Sequence, residues 1–86
     1  MNWPTVREKY PLRWVVVEAI TAHSLDQKRS IDDMAIIEEF DDPNDAWKAY
    51  KKLHLSNPSR ELYVFYTGRQ DLEIIEQTFT GIRGLQ

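Results

Sequence analysis

The sequence predicts an α+β fold: a two-layer sandwich in which a four-stranded, mostly antiparallel sheet carries one main helix, in the order ββαββ. Two observations predict the sheet: a run rich in β-branched residues near the N-terminus, and the uncharged aromatic run LYVFY in the second half. A third predicts the helix, because Asp-Pro-Asn-Asp opens a segment whose apolar residues recur at helical spacing. With 86 residues, positions 1–86 make a single domain.

The first half of the chain predicts two strands. Residues 13–23 and 31–40 are both rich in β-branched and apolar residues, and the polar stretch SLDQKR between them is typical of a loop, so the two strands form a long hairpin. That stretch has no Asn-Gly or Asp-Gly pair, so the sequence does not fix the register. Residues 4–10 predict a short helix, since Pro4 suits a first helical position and Pro11 ends it.

The main helix is predicted over residues 43–55. Asp42 suits the N-cap and Pro43 the first helical position, and Asn57-Pro58 ends the element. One apolar face is expected, made of Ala46, Trp47, Tyr50, Leu53 and His54.

Two further strands follow the helix. The aromatic strand covers residues 61–67, and residues 68–71 make a turn in which Gly68 is expected to adopt a positive φ. Residues 72–79, LEIIEQTF, predict the fourth strand, and the tail GIRGLQ is expected to be irregular.

The predicted sheet has more apolar surface than one helix covers. The first strand is apolar on both faces, with Trp14, Val16 and Ile20 on one and Val15, Val17 and Ala19 on the other. A helix of about 13 residues is roughly 20 Å long and shields one face. Either the N-terminal segment with Trp3 covers the second face or another protein does, and the sequence leaves both alternatives open.

Large exposed apolar patches mark interfaces, so the sequence predicts a non-enzymatic protein–protein interaction module, either a homodimer or one component of a protein pair. Tyr, Trp and Arg are the residue types that dominate binding energy at interfaces. The expected interface residues are therefore Trp14, Tyr63, Phe65, Tyr66 and Arg69.

Composition narrows the remaining functions. The chain has no Cys, which excludes disulfides, thiolate metal sites and thiol nucleophiles. It has no apolar run of bilayer length and no secretory signal at its N-terminus, so a cytoplasmic location without membrane association is expected. No cofactor, metal or small-molecule ligand is predicted, because the acidic cluster between residues 32 and 45 lacks the spacing of a calcium loop.

Two alternative functions stay open. The aromatic strand resembles the shorter signature strand of an RNA-recognition domain, and a small basic edge is conceivable from Lys48, Lys51, Lys52 and Arg60. That domain needs a βαββαβ order and a second signature strand, and the net charge of −3 also disfavours nucleic acid. The first alternative is therefore a nucleic-acid-associated regulator of antitoxin type. The second is an enzyme of unknown class that uses His23 or His54, neither of which begins a known ligand spacing.

Several segments together resemble a group of small bacterial proteins of unknown function. They are Tyr10-Pro11 before Trp14-Val15, the pair Ala22-His23, Asn57-Pro58 after the helix, the run 60–67 and Gly81-Ile82-Arg83-Gly84. The resemblance covers residues 10–84 and implies a prokaryotic source and no established activity. In that group Gly stands at the position of Leu12 and His at that of Tyr66, so a catalytic role for the second position is in doubt in this chain. No functional residue is carried over.

Overall fold

The computed structural model describes residues 1–72 and 74–75. Its elements are α1 (Trp3–Lys9), β1 (Trp14–Leu25), β2 (Lys28–Phe40), α2 (Pro43–Ser56), β3 (Leu62–Tyr66) and β4 (Ile74–Ile75). The predicted α+β class is confirmed. β1 lies at the centre of an antiparallel sheet, between β3 and β2.

The predicted four-stranded sheet is not confirmed as such. Three strands make the sheet, and β4 adds only two residues, which pair with Lys28 and Arg29 at the start of β2. The remainder of the fourth strand expected over residues 72–79, and the tail after it, lie outside the described residues apart from Leu72.

β1 and β2 form the expected hairpin, but the predicted loop over residues 24–29 is wrong. Leu25 pairs with Lys28, and the turn consists of Asp26 and Gln27 alone, with φ of 52° and 65°. A two-residue turn with both φ values positive matches the twist of the strands and usually contains Asn-Gly. Asp tolerates positive φ better than most residues but Gln does not, so the pair Asp26-Gln27 is not a familiar turn dipeptide in the sequence.

The long hairpin also contains register shifts that the sequence does not predict. Register shifts leave Ile20 in β1 and Ile37 and Asp32 in β2 without an opposite residue. Ile20 is 58% exposed and Ile37 is 36% exposed. Extra residues of this kind bend a strand and increase its twist.

The second face of the sheet is covered within the chain by α1. Trp3 and Val6 of this short helix are buried against Val15, Val17 and Met34. Asn2 caps the helix by accepting a hydrogen bond from the Thr5 N–H at 3.0 Å. Of the two alternatives for that face, intramolecular cover by the Trp3 segment is therefore correct.

α2 lies against the other face. Val16 points to the opposite face from its neighbours in β1 and is fully buried, as is Ala46 of α2. α2 contacts β1 and also the strands on either side of it, β3 and β2. The helix begins as predicted, because the Asp42 carboxylate accepts from the Asn44 N–H at 2.8 Å and Pro43 occupies the first turn. Trp47, however, was expected in the apolar face and is 53% exposed.

The explanation given for Gly68 is also wrong. Its φ is not in the left-handed region; the ring of Tyr66 lies so close that an added Cβ would be 2.3 Å from Cε2. The residues with positive φ in the described chain are Leu12, Asp26 and Gln27.

Candidate interaction surface at the edge of strand β3

The structure divides four of the five predicted interface residues between the two faces of the sheet. Tyr63 and Phe65 lie on the α1 side, where their rings stack at 5.4 Å and Phe65 meets Trp3 edge-on at 5.6 Å. Trp14 and Tyr66 lie on the α2 side, with ring centroids 5.2 Å apart. The sequence grouped residues that the pleat of the sheet separates.

Arg69, the fifth predicted residue, lies beyond the end of β3. Its side chain is exposed, and its backbone carbonyl accepts a hydrogen bond from Trp3 Nε1 at 3.1 Å. This bond ties the turn after β3 to α1. β3 thus carries Tyr63 and Phe65 on one face and Tyr66 on the other, where Tyr66 meets Trp14 of β1.

β3 is an edge strand of the sheet. The Thr67 N–H donates to the Arg13 carbonyl at 2.8 Å and the Ala19 N–H donates to the Glu61 carbonyl at 2.9 Å. Since antiparallel strands alternate the direction of their polar groups, the backbone groups of Leu62, Val64 and Tyr66 point away from β1. Among the described residues no strand lies beyond this edge.

The opposite edge of the sheet, on β2, has features that discourage strand addition. β4 pairs with its first residues, and the Met34 N–H donates to the Met1 carbonyl at 2.7 Å. Bulges and carboxylates such as Glu38 and Glu39 occupy the remainder. β3 has no charged residue and no Pro, and its register against β1 is unbroken. The β3 edge is thus the one suited to accept another strand.

Ion pairs bracket the start of β3. Arg60 donates to Glu18 at 2.8 and 3.1 Å, and Arg29 donates to Glu61 at 2.7 and 2.9 Å. The Arg29 guanidinium holds the pKa of Glu61 below its ordinary value, and Arg60 does the same for the pKa of Glu18. These pairs fix β3 to β1 and β2 and leave the strand itself uncharged.

Tyr63 joins the second of these pairs. Its hydroxyl donates to Glu61 at 2.6 Å, and burial together with that carboxylate raises the pKa of Tyr63 to about 12. The Tyr63 side chain is therefore held by Glu61 at its hydroxyl and by Phe65 at the face of its ring.

An aromatic flank of α2, defined as Trp47, Tyr50 and His54, lies beside the buried stripe of the helix. Trp47 packs edge-on against Tyr50 at 5.5 Å, and the His54 ring stacks on Tyr50 at 5.8 Å. Trp47 nevertheless keeps half of its surface in solvent. The sequence assigned these three residues to one apolar face with Ala46 and Leu53, because helical spacing sets them side by side, and only the packing shows which of them the sheet covers.

The other sites considered from the sequence have less support. His23 hydrogen-bonds Asp32 at 2.9 Å, and both side chains are more than half exposed. Neither therefore lies in the kind of buried cleft that is typical of catalytic groups. Within the described residues no three His, Asp or Glu side chains converge as metal ligands. An open cleft of about 290 Å³ lies between α1 and the start of β2, but its cation, Arg29, is already bound to Glu61.

Comparison of the chain with family models, with curated proteins and with solved structures gave no match. The resemblance to small bacterial proteins therefore stays a prediction. In the part of the chain that the structure describes, neither helix has the length and apolar character needed to cross a bilayer.

Proposed function

We propose that the protein is a non-enzymatic protein–protein interaction module whose contact surface is the outer edge of β3 together with the aromatic flank of α2. The proposal includes a cytoplasmic location, which the absence of Cys permits.

One observation carries the proposal: an uncharged, unbulged edge strand lies in a sheet whose other edge is guarded. Unpaired N–H and C=O groups along such an edge form a template for another strand, and natural proteins usually guard it with charges, Pro or bulges. An edge left open in this way is the geometry used for strand addition by a partner.

The aromatic flank adds the apolar component that interfaces use. Trp and Tyr are among the residue types whose truncation to Ala costs the most binding energy at interfaces. Trp47 keeps half of its surface available for such a contact. α1 covers the face that first suggested a partner, so the proposed surface is now an edge and a helix flank rather than a whole sheet face.

The charges weaken the nucleic-acid alternative. Arg60, which the sequence offered for a basic edge, is bound to Glu18. The lysines of α2 are exposed on the side of the helix away from the sheet, as in an ordinary solvated face.

Two substitutions on one helix test the proposal. Trp47→Lys places a charge in the proposed surface, whereas Leu55→Lys places one at a residue that is 69% exposed on the outward side of α2. We expect Trp47→Lys to lose association with the partner, whether self or another protein, in affinity purification from source cells and in light scattering. Leu55→Lys should keep it. Indistinguishable behaviour of wild type and both variants would contradict the proposal.

A further inference from the structure

We infer that the partner is a second copy of this chain, joined by antiparallel pairing of the two β3 strands about a two-fold axis at Val64. The inference rests on the interaction surface proposed above and names its occupant.

The backbone favours this register. Pairing about Val64 sets all five residues of β3 opposite five residues of the second copy, with Val64 opposite itself and Leu62 opposite Tyr66. The outward groups of these three residues then face one another, as an antiparallel ladder requires. A centre further back brings in Pro58, which has no N–H to donate, and a centre further on pairs residues of the turn after β3, which ends at Tyr66. The Tyr66 carbonyl already accepts from the Arg69 N–H at 3.1 Å, so in the register about Val64 it accepts the Leu62 N–H of the second copy with its second lone pair.

The side chains agree with the same register. On the α1 face it sets Tyr63 of one copy opposite Phe65 of the other, twice, so that the stacked pair of each copy continues across the axis. Aromatic residues directly opposite one another are among the favourable cross-strand pairs. The sequence L-Y-V-F-Y is symmetric in character about Val64, which is what a two-fold contact between identical strands needs.

The aromatic flank of α2 lies near the contact between the two copies in this dimer. β2 and β3 run parallel with β1 between them, and α2 is the crossover that joins them. Such connections are right-handed almost without exception, and that hand places Trp47, Tyr50 and His54 on the β3 side of the helix. The flank therefore overhangs the edge at which the second copy adds.

The spacing also brings the two helices near each other. Paired strands lie about 4.8 Å apart, so a helix that contacts β3, β1 and β2 and lies over the middle strand has its axis about 7 Å from the two-fold axis. The two α2 axes are then about 14 Å apart, wider than the roughly 8–10 Å of closely packed helices, and large side chains are needed to fill the space between them. Trp47 of each copy would be buried between them.

Because the chain has no Cys, introduced thiols report the contact directly. Val64→Cys places two Cα atoms about 5.5 Å apart across the axis, within disulfide range. We expect it to form a covalent dimer on mild oxidation, while Ile37→Cys, on the opposite edge, does not. Wild type should show twice the mass of the 10.2 kDa chain in light scattering, and Trp47→Lys should raise the dissociation constant at least about 30-fold.

A mixture of Tyr63→Cys and Phe65→Cys tests the register. The mixed proteins should cross-link and each alone should not, since self-linking at residue 63 or 65 requires a different centre. If these two variants do not fold, as circular dichroism would show, Val64→Cys and the mass measurement decide the question. A monomeric wild type, or a dimer that Val64→Cys fails to trap, overturns the inference.

The two proposals fail separately. If the chain is a monomer but Trp47→Lys loses a protein that Leu55→Lys retains, self-pairing is wrong and the interaction module stands. If neither variant changes any association, the module itself is wrong.

Discussion

Thr67 and Arg13 bind each other through two hydrogen bonds that join the end of β3 to the start of β1. The Arg13 N–H donates to Thr67 Oγ1 at 2.8 Å, and the Thr67 N–H donates to the Arg13 carbonyl at the same distance. The Thr67 hydroxyl donates in turn to the Tyr10 carbonyl at 2.5 Å, and Arg7 Nε donates to the Thr67 carbonyl at 3.0 Å. One buried residue thus links α1, the turn after it and two strands.

Thr67→Val should therefore destabilise the protein although it keeps the shape of the side chain. It removes the hydroxyl and leaves the Arg13 N–H and the Tyr10 carbonyl without their partner beside a residue only 2% exposed. We expect the free energy of unfolding in urea to fall by about 2–3 kcal/mol. Thr67→Ser keeps the hydroxyl and loses one methyl, so it should cost about 1 kcal/mol. Equal losses in the two variants would show that packing of the methyl, and not the hydrogen bonds, is what matters.

Leu12→Gly should stabilise the protein. Leu12 has φ of 53°, in the left-handed region that costs a residue with a Cβ about 1–2 kcal/mol, and it is 72% exposed, so little burial is lost. The greater freedom of Gly in the unfolded chain offsets part of that gain. We expect a net increase of about 0.5–1 kcal/mol in the free energy of unfolding. Leu12→Ala keeps the Cβ and should bring no such gain; if it stabilises equally, removal of the exposed Leu side chain is the cause.

Acid should weaken the fold through the Arg29–Glu61 pair. Because the Arg29 guanidinium lowers the pKa of Glu61 in the folded protein below 4.5, the unfolded chain binds more protons as the pH falls below that value. The stability from this pair is complete above pH 4.5 and is lost as the pH falls through the folded pKa. Urea unfolding at a series of acidic pH values should show a shallower pH dependence for Glu61→Gln than for wild type. Glu8→Gln, which replaces an exposed carboxylate of α1, serves as the control and should follow the wild-type curve.

The parts of this fold that the sequence predicts are those set by neighbouring residues. The Asp42–Pro43 start of α2 is local, since the cap needs only the next two residues, and the structure has it as predicted. The β-branched run of β1 and the aromatic run of β3 are likewise sufficient to identify strands.

The parts that it does not predict depend on residues distant in the chain. Arg29 meets Glu61 across β1, 32 residues away, and neither side chain has a local signature. The candidate surface has the same origin, because Val64 is at an edge only through the order of the strands, and Trp47 is exposed only through the way α2 sits on them. Spacing along the chain shows which residues share an element, but the packing of elements decides which of them remain accessible.

Substitution of Gly68 tests its contact with the ring of Tyr66, two positions earlier in the chain. A Cβ at this position would be 2.3 Å from Cε2 and 2.9 Å from Cζ of Tyr66, and the three nearest heavy atoms all belong to that ring. The ring also packs against Trp14, with centroids 5.2 Å apart, so it has a stacking partner to lose if it moves. Gly68→Ala should therefore reduce the free energy of unfolding by about 1–3 kcal/mol, as overpacking usually does.

A double-mutant cycle separates this contact from backbone strain at the turn. The Tyr66→Ala background removes the three atoms nearest to the added methyl, so Gly68→Ala should become neutral or slightly stabilising, and the two substitutions should couple by about 1–3 kcal/mol. The four proteins are compared by urea unfolding at one protein concentration, because association would itself add stability. If Gly were needed for its backbone freedom, Gly68→Ala would cost the same in both backgrounds. That result would restore the positive-φ explanation and remove the ring contact as the reason for glycine at this position.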